Sequence, residues 1–132
     1  MTRYVIDAPT LLHLVREEIE VSPEHQLVAP SGIRSQALTL LLGAVERGEV
    51  TEKEARVLHT RLTELKIRVL GDRVSRWTSF QVAREQGWDT THDAEYVAVT
   101  RLQADALVTV DQGMAARAEG LVPLAPLGAL GE

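Results

Sequence analysis

The sequence predicts an α/β protein, a three-layer α/β/α sandwich around a central, mostly parallel sheet. Three observations predict it. Short apolar and β-branched runs (Tyr4–Ile6, Leu27–Ala29, Ala106–Val110) alternate with longer segments whose apolar residues recur at helical spacing. That alternation implies crossover connections, parallel strands and helices on both faces of the sheet. Two of the strand-like runs also stop at an aspartate, Asp7 and Asp111. Open α/β sheets place their sites at the carboxyl ends of their strands.

Each element has its own reason. Tyr4-Val5-Ile6 reads as a buried strand that ends at Asp7. Ala8-Pro9 opens a helix to about Glu20, with Pro early, where its missing N–H costs nothing, and with Leu11, Leu12, Leu14, Val15 and Ile19 at helical spacing. Leu27-Val28-Ala29 is extended, and Pro30-Ser31-Gly32 breaks the chain. Ile33 to Arg47 is a helix with Ile33, Ala37, Leu40, Leu41, Ala44 and Val45 on one broad face, stopped by Gly48. Thr51 and Glu54 make a capping box for a helix to about Leu65. Lys66–Leu70 is β-rich, and Gly71-Asp72 turns it into a helix over Val74–Gln86, closed by Gly87. A helix follows Thr90-Thr91-His92-Asp93 and runs to about Gln103. Ala106–Val110 is a strand, Gln112–Glu119 a short helix stopped by Gly120, and Leu121–Leu124 a last short strand.

At 132 residues the chain has the length of one domain, assigned to 1–126, with a flexible tail at 127–132 that is rich in Gly and Pro. Hydrophobic residues make up 45% and charged residues 25%, so a disordered or fibrous chain is disfavoured. The absence of Cys excludes disulfides, thiolate metal sites and cysteine nucleophiles. A net charge of −5 argues against a protein that coats nucleic acid, but not against a nuclease whose site must be acidic to hold metal. Asp7 falls where a signal peptide needs an apolar run, and Leu38–Val45 is too short to span a bilayer. The expectation is a soluble cytoplasmic protein with no membrane contact. There is no Gly-Lys-Ser/Thr phosphate loop and no Gly-x-Ser-x-Gly elbow, so a P-loop NTPase and a serine hydrolase are unsupported. His13, His25 and His59 are scattered, without the clustering a zinc site needs.

Parallel neighbouring strands would set Asp7 and Asp111 on one edge of the sheet, and Asp93 stands at a helix start, where the dipole favours an anion. Taken singly, Asp93 reads equally well as an N-cap, and Asp7 or Asp111 as a loop-opening residue. Jointly they say more. Three converging carboxylates repel one another, and a fold tolerates them mainly when a cation offsets the charge. All-oxygen ligands select Mg²⁺ or Mn²⁺.

Tyr4-Val5-Ile6-Asp7-Ala8, His92-Asp93-Ala94-Glu95-Tyr96-Val97-Ala98 and Leu107-Val108-Thr109-Val110-Asp111 resemble, in order and spacing, the three acidic blocks of PIN domains. The resemblance runs from about Arg3 to Pro126 and is nearest to the VapC-type toxins of toxin–antitoxin pairs. It implies an α/β/α sandwich, Mg²⁺- or Mn²⁺-dependent cleavage of RNA, and inhibition by a small antitoxin protein; a homodimer is expected. Carried over by position, Asp7, Asp93 and Asp111 match the catalytic and metal-ligating acids, and Thr109 matches a small hydroxyl residue two places before the last Asp. One family acid is replaced. After Ala29-Pro30 the chain reads Ser31-Gly32-Ile33-Arg34-Ser35-Gln36, so Gln36 stands where the family has Glu. Gln36 keeps an acceptor oxygen, without the charge, and is expected to position a water. Pro9 stands where the family often has Ser or Thr.

Other residues have plainer readings. Arg34 is a candidate contact for an RNA phosphate, weighed against a solvated arginine. Arg73, Arg76 and Arg84 read as a solvated face, His92 as a loop residue, and Glu95 as a match to the helix dipole. Trp77 and Phe80 share a helix face and are expected to pack on the core or a dimer partner rather than stack on bases. Two functional readings follow. The first is a metal-dependent endoribonuclease of the toxin kind. The second, supported by Gln36, is a catalytically weakened or silent module that binds a protein partner or RNA.

Overall fold

The structure is a computed structural model that describes residues 1–132. Four strands form: β1 Thr2–Ile6, β2 His25–Pro30, β3 Arg68–Leu70 and β4 Ala106–Val108. They make one sheet in the order β3-β2-β1-β4, and every pairing is parallel. Between them lie α1 Ala8–Arg16, α2 Ile33–Glu46, α3 Glu52–Glu64, α4 Arg73–Gln86, α5 His92–Gln103 and α6 Gln112–Ala118. Helices α1, α2 and α3 pack on one another; α4 packs on α5, and α5 lies across β1, β2 and β4. The α/β/α layering predicted from the alternating runs is therefore what forms.

The strand order fixes where a site can sit. From β1 the chain crosses to β2 and β3 on one side, and returns to β4 on the other. The crevice between the carboxyl ends of β1 and β4 is thus the topological switch point, where such sheets bind ligands. The register pairs Val5 with Leu107 and Ile6 with Val108, so the next step sets Asp7 beside Thr109.

Local chemistry sets most boundaries. Thr51 accepts the Glu54 N–H at 3.1 Å, as its capping box predicts. Asp72 accepts the Ser75 N–H at 2.7 Å, which starts α4 one residue earlier than expected. Gly87 ends α4 at φ 71°, in the left-handed region that suits glycine.

Four expectations need correction. Helix α1 stops at Arg16, not near Glu20: Glu18 adopts φ 51° and Ile19 N–H bonds Leu14 O at 3.0 Å, which turns Ile19 back onto the core. Leu121–Leu124 contributes a single bridge, Leu107 to Leu124, rather than a strand. The tail is not loose. Residues Leu127–Gly131 form a 3₁₀ helix, Leu130 is fully buried, and Leu130 O accepts the Ser22 N–H at 2.8 Å. Trp77 and Phe80 lie outside the core, 58% and 44% exposed, and stack on each other with centroids 4.6 Å apart. No helix is long and apolar enough to cross a membrane.

Candidate active site at the carboxyl edge of the sheet

Asp7 ends β1, caps α1 and is 4% exposed. Two threonine hydroxyls hold it. Thr10 Oγ1 donates to Asp7 Oδ1 and accepts the Val110 N–H at 3.0 Å. Thr109 Oγ1 donates to Asp7 Oδ2 at 2.6 Å and accepts the Asp111 N–H at 3.0 Å. Each hydroxyl therefore directs its one proton at Asp7 and a lone pair at the segment after β4, tying the two strand ends together. Burial pushes the Asp7 carboxyl above its ordinary pKa; the hydrogen bonds from Thr10 and Thr109 pull it back in part, and the nearby charge of Asp111 pushes it up again. Asp111 caps α6, its Oδ1 accepting the Gly113 N–H at 3.0 Å. Asp7 and Asp111 are thus brought to one place, as the matching strand ends predict.

Asp93 is differently engaged. It is the second residue of α5; Thr91 holds the cap position, with no side-chain bond. Asp93 Oδ2 pairs with Arg117 Nε at 2.7 Å, and both side chains are 41% exposed. The arginine reaches across from α6. Gln36, on the first turns of α2, faces the same region, because Tyr96 of α5 donates its hydroxyl to Gln36 Oε1 at 2.5 Å. Burial raises the Tyr96 pKa well above the ordinary phenol value, and the charges of Asp7, Glu95 and Asp93 add to the shift. The phenol therefore keeps its proton and remains a donor.

The donor chemistry here is all oxygen, which suits a hard cation. The arrangement does not. No group of three or more His, Cys, Asp or Glu side chains is placed to hold a metal ion. Both Asp7 oxygens accept hydroxyl protons, Asp93 is paired to Arg117, and position 36 carries a neutral amide. As placed, these residues do not fit a resident divalent ion.

Arg34 has a structural task instead of an evident phosphate contact: its Nε and Nη2 donate to Leu62 O at 3.2 Å and Leu65 O at 2.9 Å, closing the end of α3. Glu95 lies beside Ser75 and Arg76, and the His92 backbone N–H makes only a long bond to Thr90 Oγ1 at 3.4 Å. The larger surface hollows lie elsewhere; one of about 660 Å³ opens at the amino-terminal edge of β2, beside His25 and Lys66. Sequence reasoning missed Thr10, Tyr96 and Arg117. Thr10 could have been found from its cap spacing, three residues after Asp7. Nothing local marks Tyr96 or Arg117.

No protein-family model and no curated protein matches the chain. Solved structures do resemble it. PAE2754 from Pyrobaculum aerophilum superposes with a TM-score of 0.72 at 22% identity, over 98% of this chain and 93% of that one. VapC20 from Mycobacterium tuberculosis, a toxin that cleaves the sarcin–ricin loop, gives 0.61 at 15% identity, over 93% and 99%. VapBC-1 from nontypeable Haemophilus influenzae gives 0.59 at 13%, over 94% and 97%. The fold is PIN-like. At these identities the likeness establishes the architecture, and the chemistry has to be argued from this chain's own residues.

Proposed function

We propose that this chain is a metal-dependent endoribonuclease of the toxin kind, with RNA as substrate, an antitoxin protein as partner and the cytoplasm as its place of action. Asp7, Asp93 and Asp111 are its catalytic and metal-ligating acids, and Gln36 and Thr109 support them. One observation carries the reading: Asp7, buried and raised in pKa, sits beside Asp111 at the switch point of a PIN-like sheet. A buried carboxylate next to a second one is unfavourable for folding, and a fold that keeps such a pair in its ligand crevice is using it. Cleavage of this kind calls for Mg²⁺ or Mn²⁺, and Asp93 has to leave Arg117 before three acids can meet.

The chain's own residues set the rest. Thr10 and Thr109 hold the Asp7 carboxylate in one orientation, and Tyr96 holds Gln36 at the pocket. Apolar side chains left on the surface, Leu38, Leu40 and Leu42 of α2 with Val74, Trp77 and Phe80 of α4, support protein partners, the antitoxin and a second copy of the chain. Asp7→Asn and Asp111→Asn are each expected to lower Mn²⁺-supported RNA cleavage at least about 100-fold while leaving the fold intact by circular dichroism. Undiminished cleavage by a clean preparation of either variant rejects the assignment.

A second reading has its own support in the Gln36 amide and the Asp93–Arg117 pair, which together leave two carboxylates where the family pattern has four acids. Under it the chain binds RNA or a protein partner without cutting. Mn²⁺ raises the melting temperature of the nuclease by linkage and leaves that of the silent module where it was.

A further inference from the structure

We propose that Arg117 is a built-in counter-cation, a positioning residue that latches Asp93 out of the acid pocket and keeps the pocket in a low-affinity state for divalent ions. This rests on the nuclease reading of the same site and adds its regulation.

Two independent features of α6 carry it. The first is the ion pair: Arg117 Nε meets Asp93 Oδ2 at 2.7 Å, so the carboxylate that the fold needs as a third ligand already has a cation. The second is the space over Gly113. A side chain at Gly113 would place its first carbon 3.1 Å from Arg117 Nη1, 3.7 Å from Nη2 and 3.3 Å from Asp111 Oδ1. The guanidinium therefore lies back over the first turn of α6, in space that glycine leaves open, with Asp111 on one side and Asp93 bonded on the other. The helical spacing of Gly113 and Arg117, four residues apart, lets the long side chain fold across that turn.

The charges follow. A guanidinium beside Asp93 and Asp111 offsets the repulsion among the acids, the task otherwise left to a metal. It also repels an incoming divalent ion and occupies one of its ligands. Both effects weaken metal binding, and both vanish when Asp93 swings free. An exposed ion pair of this kind is worth about 0–1 kcal/mol, so the latch can open thermally. Arginine suits the role because it stays charged at every physiological pH.

Mn²⁺ titration calorimetry on the full chain tests the latch, with Arg117→Gln, Arg117→Lys, Gln36→Glu and Arg117→Gln/Asp93→Asn set against the wild type. Arg117→Gln is expected to tighten Mn²⁺ binding about tenfold or more, Arg117→Lys to bind as weakly as the wild type, and the double variant to lose the gain. Metal-free melting curves check folding, and Arg117→Met replaces Arg117→Gln should the latter be unstable. Equal Mn²⁺ affinity in wild type and Arg117→Gln, with Gln36→Glu binding tighter than both, overturns the latch and leaves the nuclease reading standing. Absence of Mn²⁺ binding in every variant overturns both. Tighter binding in Arg117→Gln that depends on Asp93, without RNA cleavage in any variant, upholds the latch and rejects the nuclease.

Discussion

At the scale of single residues, the site is a contest between burial and hydrogen bonding at Asp7. Its carboxyl titrates above the ordinary 3.8 because burial outweighs the two threonine hydroxyls. The sign for stability follows. With the folded pKa raised, the ionised form at neutral pH weighs against folding, and stability returns as pH falls through the folded pKa toward 3.8. Asp7→Asn removes the charge and is expected to raise the melting temperature at pH 7 by roughly 2–4 °C, a shift of about 1 kcal/mol. The gain over wild type should shrink steadily as the buffer is taken down to pH 4. A gain that stays constant across that range would show that the Asp7 charge is not its source. Asp72 is the opposite case. The Ser75 N–H and hydroxyl stabilise its ionised form and lower its pKa, so its contribution is present at neutral pH and lost in acid.

At the scale of elements, most helix ends were legible because capping is local chemistry. Thr51 with Glu54, Gly48 after α2 and Gly87 after α4 all act as their spacing predicts. The face of α4 was not legible. Trp77 and Phe80, three residues apart, do share a helix face, but spacing cannot say whether that face meets the core. Here Val82, Ala83, Ser75 and Ser79 take the inward side, and the aromatic pair lies on the surface. Trp77→Ala should therefore cost less than about 1 kcal/mol in urea unfolding, where truncating a core Trp costs about 3–5 kcal/mol. A loss within that larger range would mean that the ring is buried in solution, most simply by a second copy of the chain.

At the scale of the whole molecule, the accessible surface is 7752 Å², against about 6,900 Å² for a chain of this mass. The excess agrees with the apolar residues that α2 and α4 leave uncovered, and with a protein made to meet partners. The carboxyl terminus works the other way. Gly and Pro in the last eight residues read as a loose tail, yet Leu130 is fully buried and its carbonyl holds Ser22. Leu130→Ala is expected to destabilise the protein by about 2–5 kcal/mol, as a cavity in a packed core does. Thermal melting indistinguishable from wild type would return these residues to the tail that composition suggests.

What the sequence determined by itself is the architecture and the two strand-end aspartates. Alternation of short β-rich runs with 3.6-residue periodicity admits few packings, and parallel strands bring their carboxyl ends to one edge whatever the loops do. Tertiary structure alone decided the state of that edge. Arg117 and Asp93 are 24 positions apart and Tyr96 and Gln36 are 60 apart, pairings that no local period encodes. Charge neutralisation acts through distance in space, and only the folded chain sets that distance. For that reason the pattern of acids could be read along the chain, while the arginine among them could not.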